Sequence, residues 1–123
     1  INELAKILAG YTCQYSMQQR FHMPDGRPYC ESHHIIEFST ENGPDITNNL
    51  VVLGAEPHMI LHHACAEEVA DATIQLIKNG ALAFTRFREM AEVYHCLTKE
   101  HVQVLKNKHI ITAKEAEELL KLI

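Results

Sequence analysis

The sequence lacks several features, and each absence narrows what the protein can be. No apolar run in its 123 residues is long enough to cross a membrane, and no signal-peptide pattern opens it. None of its four cysteines belongs to a Cys-x-x-Cys pair. A domain of this size folds without disulfides, so we expect buried free thiols, a cytoplasmic protein and no membrane partner.

The sequence also lacks an excess of positive charge. Eleven Lys and Arg residues stand against sixteen Asp and Glu, a formal net charge of −5. This balance argues against a free-standing DNA-binding protein, which is usually basic. A basic face on an acidic body stays open, because Arg20, Arg27, Arg86 and Arg88 flank the central part of the chain. Since the sequence begins at Ile1 and not at Met, we expect it to be a piece of a longer protein.

Histidine is the residue that is present in unusual number. Five of the nine histidines fall between residues 33 and 63. Clusters of histidine are the first candidates for a metal or acid–base site. His22, His95, His101 and His109 have no partner at a useful spacing, and we expect them to be surface or hydrogen-bonded histidines.

Periodicity and capping residues predict the elements around this cluster. Strands are predicted from Tyr29 to Phe38 and, with both faces buried, from Leu50 to Leu53. Pro57 suits the first turn of a helix that either continues to Lys78 or breaks near Cys65. Other helices are predicted over residues 2–9, 82–96 and 98–107, and after the capping box of Thr112 and Glu115.

The central histidines have the spacing of a hydrolytic metal site. His58 and His62 are four residues apart, so a helix places both imidazoles on one face, within reach of one metal ion. His33 and His34 are adjacent in a strand and point to opposite faces. One can bind metal while the other stays free, provided that the strand distorts near its end. A metal ion that stabilises a leaving alkoxide and a free imidazole that accepts a proton from water together suit phosphodiester hydrolysis.

Each part of this pattern has an ordinary explanation when it is taken alone. His58 and His62 fit two surface histidines on a helix equally well, and His33-His34 fits a half-buried polar strand. It is the joint pattern that favours a site.

The residues also match a known family over about 11–63. The stretch Gly-Arg-Pro-Tyr-Cys-Glu-Ser-His-His-Ile-Ile from Gly26, then Gly43-Pro-Asp, Asn49-Leu-Val-Val-Leu, His58 and His62, resembles the HNH endonucleases. It looks closest to the branch that includes modification-dependent restriction nucleases. The resemblance implies a ββα-metal finger in which His34 is the general base and Asn49 holds the loop. It implies that His33, His58 and His62 bind the metal.

The chain departs from this family at a second, structural zinc site. Many relatives carry two Cys-x-x-Cys pairs, whereas here Cys13 is followed by Ser16 at the partner position. Gly54 and Pro57 occupy the positions of the second pair. We therefore expect the structural zinc to be lost and the catalytic motif to be intact.

Together these observations predict an α+β fold, with a small ββα-metal HNH core at about 11–63 and a helical extension at about 64–123 in a single domain. The expected function is a metal-dependent endonuclease acting on DNA in restriction or phage defence. Its catalytic residues would be His34 and Asn49. Its cofactor would be one divalent ion (Mg, Mn, Zn, Ni or Co). Its partners would be double-stranded DNA and an additional specificity domain or subunit. The alternatives are a non-catalytic zinc-binding module and an RNA nuclease.

Overall fold

A computed structural model describes all residues from 1 to 123 as seven α-helices, one short 3₁₀ helix and a two-stranded antiparallel sheet. The predicted α+β fold is confirmed, and its C-terminal half is helical. In chain order the elements are α1 (Asn2–Leu8), β1 (Glu31–His34), α2 (Phe38–Glu41), the 3₁₀ helix (Thr47–Asn49), β2 (Leu50–Leu53), α3 (Ala55–His63), α4 (Ala66–Lys78), α5 (Phe84–Glu92), α6 (Lys99–Asn107) and α7 (Ala113–Leu122).

Strand β2 is buried on both faces, as its continuous apolar run predicts. Val51 and Leu53 pack into a main core of sixteen residues that extends through the C-terminal helices. Leu50 and Val52 face a smaller cluster beneath α1. Strand β2 is thus packed between two hydrophobic layers, whereas all four residues of β1 are half-buried. Antiparallel pairing then sets the register, with His33 opposite Val51 and His34 opposite Leu50.

Strand β1 is shorter than predicted, because a side chain replaces the partner strand after Ile35. The Ile35 amide still donates to the Asn49 carbonyl at 2.8 Å. Both backbone groups of Ile36 bond instead to the amide side chain of Asn49, at 2.8 and 2.9 Å. The chain leaves the sheet there, and Phe38 begins α2. The connection between the two predicted strands, 39–49, therefore contains part of α2 and the 3₁₀ helix.

The two open possibilities for the central helix are resolved in favour of a break. Helix α3 ends at His63, and Cys65 has an extended backbone at the start of α4. The α6 and α7 starts are as predicted: the side chains of Thr98 and Thr112 each accept a hydrogen bond from the third helical residue.

The main core is supplied largely by the C-terminal helices. Phe87, Met90, Leu105 and Leu119 are fully buried in it. Each helix packs through a narrow face, so several apolar side chains beside that face are exposed, among them Ile77, Tyr94, Leu120 and Ile123. No helix combines the length and the apolar character that crossing a bilayer requires.

Candidate metal centre

Three histidines converge beside the hairpin. His33 comes from β1, and His58 and His62 come from successive turns of α3, which follows β2 after Gly54 alone and packs back against both strands. His62 Nε2 lies 3.2 Å from His33 Nδ1 and 3.1 Å from His58 Nε2. The three ligand atoms all lie within 4.8 Å of one another. The histidines that the sequence assigned to the metal are therefore close enough to bind one ion.

The chemistry of these three nitrogens fits a metal ion better than a hydrogen-bond network. An imidazole nitrogen carries either one hydrogen or one lone pair, so His62 Nε2 cannot bond well to two other ring nitrogens at once. Zinc bound tetrahedrally at about 2.0–2.1 Å separates its nitrogen ligands by about 3.3 Å. Two of the three spacings, 3.1 and 3.2 Å, are close to that value, and the third, between His33 and His58, is within 4.8 Å.

A carboxylate orients His58 for this role. Glu31 Oε1 lies 2.6 Å from His58 Nδ1, and a carboxylate at this distance can only accept, so the hydrogen is on Nδ1. The lone pair is therefore on Nε2, the atom that faces the other two histidines. The Tyr29 hydroxyl donates to the other oxygen of Glu31. A carboxylate behind a ligand histidine fixes the ring and makes it a stronger donor to metal.

The surroundings keep the ligand imidazoles neutral. Burial, with His62 and His58 nearby, lowers the pKa of His33 to about 3. Burial also lowers the pKa of His62, and His58 adds to the effect. A neutral imidazole is the form that binds metal. Hydrogen bonds from Tyr29 and His58 lower the pKa of Glu31, which keeps its carboxylate charged.

His34 stands apart from the three ligands but lines the same cleft. Its Nε2 lies 3.0 Å from Asp45 Oδ1, and since a carboxylate accepts, that nitrogen carries the hydrogen. The lone pair of His34 is then on Nδ1. His34 thus keeps a basic nitrogen that no other protein group engages. Strand β1 keeps its register through His34 and ends there. His33 and His34 therefore point to opposite faces of a regular strand, without the distortion that the sequence analysis required.

Asn49 is fully buried behind the site and does not line the cleft. Besides its two bonds to Ile36, its Nδ2 donates to the Pro44 carbonyl at 3.0 Å. It joins the end of β1 to the loop that carries Asp45. Gly43 is required beside it, because a Cβ there would lie 1.8 Å from the Ile36 carbonyl oxygen. Asn49 is therefore a positioning residue that holds the loop.

The C-terminal helices hold the same loop from the other side. The half-buried Arg86 guanidinium on α5 donates to the carbonyls of Thr47, Asn48 and Leu50 at 3.0–3.3 Å. From the end of α6, Lys108 donates to the Ile35 carbonyl at 3.0 Å and pairs with Glu41 at 2.7 Å.

His101 is buried and bonds to the Asn42 carbonyl at 2.9 Å, as expected of a hydrogen-bonded histidine. Positive charges at a helix end usually lie in solvent, and Lys106 and His109 do so, whereas Lys108 is partly buried against the loop.

Three of the four arginines that flank the centre of the chain make contacts within it. Arg86 is half-buried and bonds to the loop, and Arg27 pairs with Asp25 and Glu3 at 2.7 Å. The guanidinium of Arg88 lies 5.9 Å from the Phe84 ring. Three acidic residues lie beside the histidines: Glu31 and Asp45 contact His58 and His34, and Glu37 lines the same cleft.

At the position where relatives would carry the structural zinc, Cys13 makes hydrogen bonds within the chain. Cys13 is buried, and its thiol bonds to Ser16 and to the backbone at Gly54; these contacts outweigh burial and lower its pKa. The Arg20 side chain covers Gly54 at 3.5 Å from where a Cβ would be. Loss of a structural zinc stays a prediction. All four cysteines are free, but the expectation of burial fails for Cys65, which is exposed.

Comparisons with models of protein families, with curated proteins and with solved structures find no match for this chain. The resemblance to the HNH family therefore stays a hypothesis that rests on the quoted residues and on the arrangement described above.

Sequence reasoning missed the two carboxylates of the site. Glu31 had a usable signal, since it lies two residues before His33 and so shares its face of β1. Asp45 had none, because it is eleven positions from His34 and their contact depends on the path of the chain between them.

Proposed function

We propose that this chain is a metal-dependent nuclease of the HNH type that hydrolyses phosphodiester bonds in DNA. One observation carries the proposal: a three-histidine metal centre and a separate histidine with a free Nδ1 share one cleft. Hydrolysis of a phosphodiester needs both a cation at the phosphate and a base for the attacking water.

The chain's own residues then have distinct tasks. His34 Nδ1 accepts a proton from water as the water oxygen attacks phosphorus and the P–O bond to the leaving alkoxide breaks. Asp45 accepts the Nε2 hydrogen of His34 and stabilises the imidazolium that forms. His33, His58 and His62 hold the divalent ion, and Glu31 orients His58. When bound, such an ion supplies Lewis-acid stabilisation of the leaving oxygen.

The number of protein ligands supports catalysis over a structural role. Structural zinc sites usually have four protein ligands, whereas catalytic sites have three and leave a position for water or substrate. Only three side chains converge here. A non-catalytic zinc module is the second candidate function, and it has no use for a free, carboxylate-paired histidine beside the metal.

The donor set also bears on the metal and the substrate. Three imidazoles favour zinc, nickel or cobalt by intrinsic affinity over manganese and magnesium.

Because the arginines of the sequence are largely engaged within the chain, we expect weak binding to duplex DNA, with a Kd near 10⁻⁴–10⁻⁶ M, about that of non-specific complexes. Specificity would then come from another domain or subunit. The restriction or phage-defence setting rests on the family resemblance alone.

The test is cleavage of a supercoiled plasmid and of a labelled RNA, with each divalent metal and with chelator. We expect metal-dependent nicking of the plasmid by the wild type. His34→Ala should lower the rate by about 10²–10⁴-fold, the contribution of one general base, and leave calorimetric metal affinity intact. His63→Ala is the matched control, since His63 is an exposed neighbour of His62 on the same helix.

Two results would contradict the proposal. Cleavage by His34→Ala at the wild-type rate would show that His34 is not the general base. Tight binding of metal by the wild type without any cleavage would favour the structural zinc module. Faster cleavage of RNA than of DNA would show that the substrate is RNA, with the same proposed mechanism.

A further inference from the structure

Phe38 is exposed inside the cleft that holds the histidines. The cleft has a volume of about 220 Å³, and Phe38 is the single hydrophobic residue among the eight that line it. The side chain is 59% exposed although it lies at the first position of α2, beside a well-packed loop. An aromatic ring placed among histidines, serines and a glutamate does not contribute to the core.

Exposed aromatic residues are common on protein surfaces and need no explanation by themselves. Phe21 illustrates this, because it is 67% exposed but stacks on Tyr29 with ring centres 5.0 Å apart. Phe38 has no such partner. Its nearest aromatic ring is that of His34, 5.6 Å away and tilted by 39°. The ring therefore combines an unstacked surface with direct proximity to the proposed general base.

The distance between Phe38 and His34 indicates which part of a bound nucleic acid could contact the Phe38 ring. In the proposed function, His34 activates the water that attacks the scissile phosphate. Stacked nucleotides are about 3.4 Å apart along a strand and unstacked ones are further apart, so a ring 5.6 Å from His34 lies within about one or two nucleotides of that phosphate. In a nucleic acid the flat apolar groups at that distance from a phosphate are the bases. Aromatic side chains hold bases by stacking, and they do so with little sequence preference.

Resting on the nuclease function, we propose that Phe38 is a stacking platform for the base of a nucleotide next to the scissile phosphate. A base in a continuous duplex has both faces covered by its neighbours. The site therefore binds nucleic acid in which that base is unpaired or unstacked, as in a single strand, a bulge or a kinked step.

The first experiment is a double-mutant cycle in which one change is made in the protein, at Phe38, and the other in the nucleic acid, at the base. Wild type and Phe38→Ala cleave single-stranded octanucleotides in which one abasic site is moved along the sequence. In the wild type, removing the stacked base should lower kcat/KM by about 5- to 150-fold, the range for one base–aromatic stack. In Phe38→Ala the same abasic site should have no further effect, because the two changes remove one contact.

Two other variants separate stacking from general apolar packing. Phe38→Leu keeps an apolar side chain without an aromatic face and should behave like Phe38→Ala. Tyr94→Ala removes an aromatic ring that is 53% exposed but outside the cleft, and it should behave like wild type.

The second experiment measures binding without cleavage. The chain contains no tryptophan, so Phe38→Trp introduces a single indole at the proposed platform. In a His34→Ala background, the intact octanucleotide should quench its fluorescence, and the octanucleotide abasic at the sensitive position should not. Tyr94→Trp in the same background should respond to neither.

The outcomes separate this inference from the proposed function. Cleavage by the wild type with independent, multiplicative effects of Phe38→Ala and the abasic site would overturn the platform and leave the nuclease standing. Equal quenching by intact and abasic strands would also overturn it. A wild type that cleaves no nucleic acid with any of the metals overturns both.

Discussion

The two halves of the molecule contribute different things. Every side chain of the candidate site comes from residues 29–62, a region that supplies three of the four residues of the smaller cluster and four of the sixteen in the main core. The C-terminal half supplies most of the sixteen-residue core and no side chain of the three-histidine centre or of the His34–Asp45 pair. Chemistry and packing are thus largely separated along the sequence.

The contacts between the halves show what the second half is for. Arg86 and Lys108 both donate to backbone carbonyls of the segment between β1 and β2. That segment bears Asp45 and Asn49, and it has little regular structure of its own. A loop that must orient a base needs support from outside, because unsupported loops sample many conformations. We therefore expect variants in the first half to change chemistry and variants in the second to change stability.

The largest expected effect is on metal binding in the first half. His62→Ala removes the nitrogen that contacts both other ligands, so we expect loss of tight metal binding together with loss of cleavage. In the wild type, zinc at 100 times its Kd should stabilise the fold by about 2.7 kcal/mol, and in His62→Ala this gain should vanish. Calorimetry and thermal melts with and without zinc measure both. Unchanged metal affinity in the variant would place the site elsewhere.

The next effect is on stability in the second half. Leu105 is fully buried in the main core, and Leu105→Ala should cost about 2–5 kcal/mol of unfolding free energy through lost burial and a cavity. Its folded fraction should bind metal with wild-type affinity and gain the same stabilisation from zinc. Denaturant unfolding and calorimetry at low temperature test this. A large loss of metal affinity would show that the two halves are not separable.

The same separation explains what the sequence could predict. His33, His58 and His62 follow from local spacing, two on successive turns of a helix and one on a strand. Leu50–Leu53 and the Thr98 and Thr112 caps are equally local signals. The end of β1 was missed because it depends on the side chain of Asn49, thirteen residues from Ile36. Arg86 and Lys108 were missed because their partners are more than thirty residues away and are carbonyls, which any residue offers.

A smaller effect is expected where the halves meet. Arg86→Ala leaves three carbonyls without this donor, so we expect a loss of about 1–3 kcal/mol in stability. At a temperature where the variant is folded, kcat should fall while metal affinity is unchanged, because the loop with Asp45 and not the ligand set is loosened. Arg86→Lys keeps the positive charge but loses the planar guanidinium, so its stability and its kcat should lie between those of the wild type and Arg86→Ala. Wild-type kcat in folded Arg86→Ala would show that the loop holds itself.

The smallest effect is expected at Lys108, the other link between the halves. Its ammonium group is partly exposed, so its pair with Glu41 is weakened by solvent, and Lys108→Met should cost only about 1 kcal/mol. Methionine keeps the apolar part of the side chain and removes the donor to the Ile35 carbonyl, which precedes the turn into α2. We expect a fall of a few-fold in cleavage rate, with metal affinity retained. Lys106→Met is the control, because Lys106 is exposed near the end of the same helix and has no such contact. Equal rates and equal melting temperatures in the two variants would show that Lys108 does not support the loop, and would leave Arg86 and His101 as its support from the second half.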